Sequence, residues 1–205
     1  MPATRTGIAA AAGTATEAEF SSAAQRERRQ RILDATLALA STGGYEAVQM
    51  RAVADRAGVA LGTLYRYFPS KIHLLVSGLA REFERNQEKL DRIPIPGSTP
   101  YERVLFVLGR ITRTMQREPM LTEAMTRAFM FADPSAAAEV STVARLMERM
   151  LTRAMHEGDP SADEIAIAWL LGDVWLSALV AWVTRRASAD DVSHQLELAA
   201  RLLLR

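Results

Sequence analysis

The sequence predicts an all-α fold in which three short N-terminal helices precede a larger helical domain. Ala, Leu, Arg, Glu and Met are abundant, and these residues are good helix formers. Val and Ile occur singly and not in the alternating runs that mark strands. The stretch RIPIPGSTP at 92–100 has the proline and glycine content of a linker. A chain of 205 residues can bury a hydrophobic core that is stable without disulfides or bound metal. The absence of cysteine excludes disulfides and zinc–thiolate sites.

The N-terminal segment 1–22 is expected to form a disordered tail, because it is rich in Ala and Thr and has no apolar period. Its run IAAAA is short and weakly apolar, and Glu17 and Glu19 follow it, so a secretion signal is not expected. We therefore expect a cytoplasmic, nucleoid-associated protein. Residues 23–70 and 71–205 are expected to form the two domains.

Glycine and proline set the predicted helix boundaries. Gly43 or Gly44 should end the first helix in a left-handed conformation, and Gly58 should end the second. Ser70 is expected to cap the fourth helix. Prolines at 119, 134 and 160 each stand where a first helical turn tolerates them. The predicted helices cover 24–41, 49–57, 61–67, 71–90, 98–117, 119–132, 135–156, 161–185 and 189–204.

The second and third helices form a helix-turn-helix pattern in the stretch VQMRAVADRAGVALGTLYRYF. Ala54 is small where the helices cross, and Gly58 permits the turn between them. Val59, Leu64 and Phe68 are expected to fill the angle between the helices. The remaining side chains of the third helix form an outer surface: Gly62, Thr63, Tyr65, Arg66 and Tyr67.

The local charge of the helix-turn-helix segment indicates its function. Residues 26–71 hold eight cations and four anions, a net charge of +4, whereas the whole chain carries +1. The run RERRQR alone is typical of ordinary solvated surface. Combined with the helix-turn-helix pattern and exposed aromatic residues, the basic segment predicts binding to double-stranded DNA.

Residues 26–71 resemble the DNA-binding domain of the TetR family of bacterial repressors. The matching stretch is RILDATLALASTGGYEAVQMRAVADRAGVALGTLYRYFPSK. The resemblance implies an N-terminal three-helix helix-turn-helix DNA-binding domain followed by a C-terminal helical ligand-binding and dimerisation domain. Two departures stand out. Ala60 replaces the usual capping residue before the third helix, and Gln49-Met50 replaces small hydroxyl residues that contact phosphate.

The resemblance also implies the DNA contacts. Arg51 would reach a guanine in the major groove, and Gln49 would donate to the backbone. The other contacts lie on the third helix and just beyond it: Gly62 and Thr63 at bases, Tyr65 at a base methyl or the backbone, and Arg66, Tyr67 and Lys71 at phosphates.

Longer matches, including LTEAMTRAF, FADPSAA and DVWLSALVAWVTRRASADDVS, resemble the cholesterol-catabolism repressors of actinobacteria within this family. That resemblance implies repression of sterol-degradation genes, relieved by a steroid catabolite or its coenzyme A thioester. It implies no cofactor. A TetR-family repressor that responds to fatty acyl thioesters or drugs is the alternative, and a helical small-molecule-binding enzyme or carrier is the third.

The segment EPMLTEAMTRAFMFAD is rich in methionine, which adapts to large apolar ligands but is also common in cores. Arg127 within it either extends to solvent or faces an anionic ligand group. Ligand binding is expected to move the recognition helices through the fourth helix. The predicted effector-binding residues are Met120, Met125, Arg127, Phe129, Met130, Trp169 and Asp173.

The segment 165–183 is apolar on all sides and long enough to span a membrane, although Asp173 near its centre opposes insertion. Its amphipathic surroundings favour a helix covered on both sides by protein. One side would face the core and the other a second subunit, giving a homodimer and no membrane contact. Asp173 either pairs across that interface or lines the pocket. The predicted dimer residues are Trp175, Leu179, Trp182 and, from the last helix, Leu196.

The sequence contains no pattern of a catalytic or metal site. His73, His156 and His194 are scattered, and none has the spacing of metal ligands. All three are expected at solvated helix positions. An enzyme is therefore not expected.

Overall fold

The computed structural model describes the backbone of residues 17–204 and the side chains of 23–204, and every regular element in this range is helical. The predicted all-α fold is confirmed for this range. A 3-10 turn, Pro134–Ala136, precedes the seventh helix. The α-helices are α1 Glu17–Ala47, α2 Met50–Ala57, α3 Leu61–Tyr67, α4 Lys71–Asp91, α5 Pro100–Gln116, α6 Pro119–Met130, α7 Ala137–Met155, α8 Ala162–Val183 and α9 Ala189–Leu203.

Helix α1 is longer than predicted at its N-terminus. It begins at Glu17, inside the segment expected to be a tail, and the rest of that tail lies outside the described residues. Its regular part ends at Gly44, whose φ of 62° and ψ of −158° interrupt the helical backbone. The predicted positive φ is therefore found, although its ψ is not that of the left-handed helix. A Cβ at Gly44 would lie 3.1 Å from the Met120 side chain, so the site also favours glycine sterically.

Helices α5, α8 and α9 each begin with a reciprocal capping box, in which a hydroxyl and a carboxylate satisfy the first backbone N–H groups. Pro119 occupies the first turn of α6 as predicted. Pro160 does not occupy the first turn of α8, because Ser161 is the N-cap and the proline precedes it. Ser70 is the N-cap of α4, but its hydroxyl pairs with His73 Nδ1 at 2.9 Å and caps no backbone N–H.

The first three helices enclose a small core that holds the helix-turn-helix at a fixed angle. Leu64 and Phe68 are fully buried in it, as predicted, and Val59 is half-buried. Gly58 adopts the left-handed conformation between α2 and α3, with φ 64° and ψ 42°. Because Leu64 anchors α3 from within, the opposite face of α3 is left to solvent.

Helices α1–α3 form the head and α4–α9 form the body, and two helices of the body contact the head. Helix α4 begins just after α3 and packs against α1, α6 and α7. Helix α6 packs against α1 and α4, so it contacts both regions. Helix α8 lies against α7 and α9, and α5 lies between α7 and α9.

His73 is buried, which contradicts the expectation of a solvated histidine. Its Nδ1 pairs with the Ser70 hydroxyl, and its Nε2 lies 3.1 Å from the carbonyl oxygen of Ser135. His73 therefore joins the start of α4 to the 3-10 turn. His156 and His194 are exposed as expected.

Candidate DNA interface and effector cavity

The outer face of α3 is open and accessible. Gly62, Tyr65 and Arg66 are exposed, and Thr63 and Tyr67 are half-buried. A Cβ added at Gly62 would meet no atom within 4 Å, so nothing covers the start of this helix. Small residues here allow close approach to base edges. The five outer residues predicted from the sequence therefore share one accessible face.

Helix α2 presents its N-terminus beside this face. Gln49 is the N-cap of α2 and is exposed, and its side chain caps no backbone N–H. Arg51, in the first turn, is also exposed and makes no hydrogen bond or ion pair with any described residue. Both side chains are free to contact an external partner.

A surface depression of about 410 Å³ joins α1 to α3, and sequence reasoning missed its α1 residues. Gln25 and Arg28 line it from α1, and Arg66 and Tyr67 line it from α3. The nearby Arg29 guanidinium lies 5.4 Å from the centre of the Phe68 ring. The RERRQR run was the available signal, because it supplies two of these three arginines, but a run alone does not reveal which side chains lie beside α3.

Lys71 contacts Tyr45, near the end of α1. Its ammonium donates to the carbonyl oxygen of Tyr45 at 3.0 Å and lies 4.0 Å from the centre of that ring. The Arg127 guanidinium lies 4.3 Å from the centre of the same ring and pairs with Glu46 at 3.1 Å. Both cations thus clamp the junction of α1 and α2. The Lys71 phosphate contact stays a prediction.

The body contains a cavity of about 370 Å³ among α4, α5, α6, α7 and α8. Buried side chains form its floor, whereas Trp169, Asp173 and Ala144 at its other end are exposed and mark its mouth. This volume is within the range of ligand pockets. The lining is mainly apolar: Leu79, Phe83, Met115, Thr126, Phe129, Val143, Ala144, Met147, Glu148, Ala168, Trp169, Gly172, Asp173, Trp175, Leu176 and Leu179.

Three of the seven predicted effector residues, Phe129, Trp169 and Asp173, line this cavity. Met125 is buried against a separate cavity of about 30 Å³. The other three need correction, because Met120, Arg127 and Met130 lie outside the cavity.

The reason is the rotation of α6 about its axis. Met120 and Met130 are 47% and 52% exposed, and Arg127 lies on the same stripe, spaced at seven and three residues. That stripe faces solvent and the DNA-binding head. The neighbouring stripe, which carries Thr126 and Phe129, faces the cavity.

Three of the four residues predicted for the dimer interface also need correction. Trp175, Leu179 and Leu196 are 5%, 1% and 3% exposed within a single subunit, so they offer no surface to a second one. Trp175 and Leu179 line the cavity instead. The Trp175 indole N–H donates to the Thr112 hydroxyl at 2.9 Å, which satisfies it inside the subunit. Of the four predicted residues, only Trp182 keeps partial exposure.

Several lining residues carried no distinct sequence signal. Leu79 and Phe83 on α4 belong to an apolar stripe, and such a stripe is typical of any core helix. Glu148 on α7 accepts a hydrogen bond from the Trp169 indole N–H at 2.7 Å, across the mouth of the cavity. Only the packing of α7 against α8 brings these two residues together.

Two protein-family models match the chain. Residues 32–77 match the model of bacterial regulatory proteins of the tetR family. Residues 97–203, which form more than half of the chain, match the tetracyclin repressor-like C-terminal domain. The chain belongs to the TetR family. The first match covers the helix-turn-helix, and the second covers most of the cavity. TetR-family regulators bind operator DNA and dimerise, and they are not enzymes.

Curated relatives resemble the chain over nearly its whole length. It is 65% identical over 188 residues to the HTH-type transcriptional repressor KstR of Mycolicibacterium smegmatis, which covers 92% of each chain. It is 63% identical to the KstR of Mycobacterium tuberculosis, over 92% of this chain and 86% of that protein.

Solved structures of TetR-family members share the fold. A TetR transcriptional regulator from Rhodococcus sp. RHA1 superposes with a TM-score of 0.82 at 32% identity, covering 88% of this chain and 97% of that one. Thermus thermophilus FadR, a TetR-family repressor solved in complex with lauroyl-CoA, gives a TM-score of 0.64 at 22% identity, over 86% and 93% of the two chains.

Helix α8 is the one described helix that meets the length and hydropathy criteria for a membrane span, with a mean hydropathy of 1.8. Only 28% of its most apolar window is buried within the subunit. In the TetR family this helix belongs to the C-terminal domain, and the family dimerises, so a second subunit is available to cover it. The described residues contain no cluster of three or more potential metal ligands.

Proposed function

We propose that this protein represses sterol-catabolism genes and leaves its operator when the coenzyme A thioester of a steroid catabolite enters the cavity. The likeness to KstR repressors over nearly the whole chain supports the repressor role. One observation supports the ligand class above all: an apolar cavity opens at a polar mouth beside a row of arginines. The protein acts in the cytoplasm, and its association with the nucleoid is part of the proposal.

The DNA-binding face of α3 and the N-terminus of α2 enter the major groove. Arg51 reads a guanine there, and Thr63 and Tyr65 contact bases through the open face of α3. Arg66 and the α1 residue Arg28 neutralise phosphates from opposite sides of one depression. Two such heads, related by a two-fold axis, occupy successive half-sites.

The dimer forms through the exposed apolar surface of α8 and α9. Leu170 is exposed on α8, and Leu198 and Leu202 are exposed on α9. Trp182 lies half-buried near the end of α8. Large apolar side chains clustered on adjacent helices mark an interaction surface, and this family dimerises. Trp182 is the sequence-predicted residue that remains in this interface.

The site changes from apolar inside the cavity to polar at its mouth, which matches the change in polarity along a steroid thioester of coenzyme A. The apolar steroid occupies the cavity, and the amide-containing arm of coenzyme A passes the carboxylates at its mouth, Glu148 and Asp173. Glu148 also lines a second surface groove with Arg145, Arg149 and Arg153. These arginines recur every four residues along α7, so they share one face of the helix. Such a row suits the phosphates of the nucleotide end.

Two helices transmit the effect of ligand binding from the cavity to the head. Helix α4 lines the cavity with Leu79 and Phe83 and begins immediately after the recognition helix. Helix α6 lines the cavity with Phe129, while its Arg127 holds Glu46 and Tyr45 at the end of α1. A ligand that separates α4 from α6 therefore tilts the head. The ligand must bind the DNA-incompetent state more tightly for this to weaken operator affinity.

Selection of bound sequences from a random DNA pool, followed by release with a panel of steroid and fatty acyl thioesters, tests this function. We expect a two-fold symmetric site to be enriched and a steroid thioester to release it. Failure of every thioester in the panel to release the selected DNA would contradict the proposed ligand class.

A fatty acyl thioester is the second candidate, supported by the same apolar lining and by the lauroyl-CoA complex of Thermus thermophilus FadR. The panel separates the two candidates directly. A preference for straight-chain thioesters of any length over steroid thioesters would favour this alternative.

A further inference from the structure

Two cations from the body lie against one aromatic ring of the head. The ring belongs to Tyr45, which follows Gly44 at the point where the regular part of α1 ends. The Lys71 ammonium lies 4.0 Å from the centre of this ring, and the Arg127 guanidinium lies 4.3 Å from it. Lys71 is the first residue of α4, and Arg127 lies on α6. The ring therefore joins the end of α1 to two separate helices of the body.

Both contacts have the distance of a cation–π interaction, which extends to about 6 Å from the ring centre. Such contacts strengthen as water is removed from them. Tyr45 is half-buried and packs against the hydrophobic core, and Lys71 is also half-buried. The Lys71 ammonium in addition donates to the Tyr45 carbonyl oxygen at 3.0 Å. The ring is thus a partly dehydrated contact between head and body.

The ion pairs at the same place contribute less. Glu46, whose side chain is 77% exposed, pairs with Arg127 at 3.1 Å, and Glu123 lies 3.9 Å from the same guanidinium. Water and salt screen pairs that are this exposed. The two carboxylates nevertheless balance the two cations, which lets both cations lie near one ring. The ring is therefore the stronger part of this contact.

The outer stripe of α6 supplies the surface on which the end of α1 rests. Met120, Glu123 and Arg127 are spaced at three and four residues, so they share one face of the helix. A Cβ added at Gly44 would lie 3.1 Å from the Met120 side chain and 3.5 Å from the Glu123 carboxylate. Contact with the head explains why this stripe of α6 is turned away from the cavity.

We infer that Tyr45 is a positioning residue for operator binding, because its ring fixes the orientation of the head on the body. The ring lies between the two helices that face DNA: α2 begins at Met50, five residues after Tyr45, and α3 ends just before Lys71. Tyr45 acts through these helices. The inference rests on the proposed function in one respect, the placement of two heads on successive half-sites.

A fixed orientation matters because the dimer must fit two half-sites at once. One base pair added between the half-sites turns one of them by about 35° and moves it by about 3.4 Å relative to the other. Heads that are held rigidly match one spacing, and they lose little further freedom on binding. Heads that are loosely attached bind the matching site more weakly and accept other spacings more readily.

The experiment measures how the full-length protein discriminates half-site spacing. Gel-shift titration uses the two-fold symmetric site selected from the random DNA pool and versions with one base pair added or removed at its centre. We expect Tyr45→Leu to bind the selected site about tenfold more weakly than the wild type, the factor expected for loss of two cation–π contacts. It should also lose most of the preference for the selected spacing.

Three further variants separate the ring from its surroundings. Tyr45→Phe keeps the ring and should keep both the affinity and the spacing preference of the wild type. Arg127→Met removes one cation at an exposed position, so it should lower both in part and tests the same contact if Tyr45→Leu does not fold. Glu46→Gln removes the exposed ion-pair partner and should change neither.

The outcomes distinguish this inference from the proposed function. If the wild type selects no two-fold site, or binds all spacings equally, the proposed placement of two heads on the operator is wrong. If the wild type discriminates spacing and folded Tyr45→Leu does so equally well, Tyr45 does not position the head. Equal weakening at every spacing, or an equal loss in Tyr45→Phe, would also overturn the inference, because neither result requires the ring to orient the head.

Discussion

The DNA-binding head and the effector body use their apolar side chains in opposite ways. The head, α1–α3, is filled around Leu64 and Phe68, and it keeps its functional face outside, on α3. The body, α4–α9, leaves about 370 Å³ empty inside and keeps much of α8 uncovered.

This difference follows from what each region must contact. A helix that contacts bases in the major groove must be exposed and held rigidly. Complete packing beneath α3 provides that rigidity. A sensor needs internal volume for a ligand and a surface for a second subunit. An internal cavity destabilises the unliganded protein, because its walls lack packing partners. The body is therefore expected to gain stability from its ligand, whereas the head does not.

The largest expected effect concerns the filled head. Phe68→Ala removes a fully buried ring and should lower the free energy of unfolding by about 3–5 kcal/mol. Urea unfolding followed by circular dichroism measures this change. Met130→Ala, at an exposed position, is the matched control and should change stability by less than about 0.5 kcal/mol. A small effect of Phe68→Ala would indicate a loosely packed head.

The next effect concerns the empty body. A Cβ at Gly172 would lie 3.6 Å from Met147 Cγ, an ordinary contact, so larger side chains can enter the cavity here. Gly172→Leu should lower thioester affinity by about a hundredfold, because it occupies ligand volume, and leave operator affinity unchanged. Gly172→Ala is the control, and it should stabilise α8 by up to about 1 kcal/mol.

Calorimetry with a steroid thioester measures the effect of Gly172→Leu, and gel-shift titration measures its operator affinity. Unchanged thioester affinity would contradict the assignment of this cavity as the effector site.

A smaller effect is expected on the exposed face of α3. Tyr65→Ala should lower operator affinity by about tenfold, because it removes one base or backbone contact, with little effect on stability at this exposed position. Gel-shift titration at fixed salt measures the change. Leu61→Ala, also exposed on α3, is the control. Equal losses in the two variants would argue against a specific role for Tyr65.

The smallest effect concerns a helix start in the body. Ser188 caps α9, so Ser188→Ala should destabilise the protein by about 1 kcal/mol. Hydrogen bonds from the Ser188 hydroxyl and backbone N–H lower the pKa of Asp191 below its usual 3.8. A lowered folded-state pKa stabilises the fold above the unfolded pKa, and this gain disappears as pH falls through the folded value.

Acid unfolding of wild type and Ser188→Ala measures this contribution. The difference between the two proteins should shrink below about pH 4. A difference that stays constant down to pH 2 would show that the carboxylate takes no part.

The same contrast explains which features the sequence predicted. The helix-turn-helix is local: the sequence predicts the burial of Leu64 and Phe68 and the left-handed turn at Gly58 from one short stretch. The cavity is assembled from five helices, so its lining depends on the rotation of each. On α6, Phe129 faces the cavity and Arg127 contacts the head, although the two residues are only two positions apart in the sequence.

Three of the four residues predicted for the dimer interface lie inside the subunit for a related reason. Helix α8 is apolar on all sides, so its sequence does not distinguish the face toward the cavity from the face toward a second subunit. Trp175 and Leu179 turned out to lie inside, and Trp169 and Leu170 outside. Only the position of α7 and α9 around α8 decides between these faces.

The central claim is that ligand in the body and operator on the head exclude one another. The most direct test measures operator affinity with and without saturating steroid thioester, and thioester affinity with and without saturating operator. Because coupling is reciprocal, we expect both affinities to fall by the same factor, about 5- to 150-fold. A thioester that binds the cavity tightly and leaves operator affinity unchanged would contradict the account.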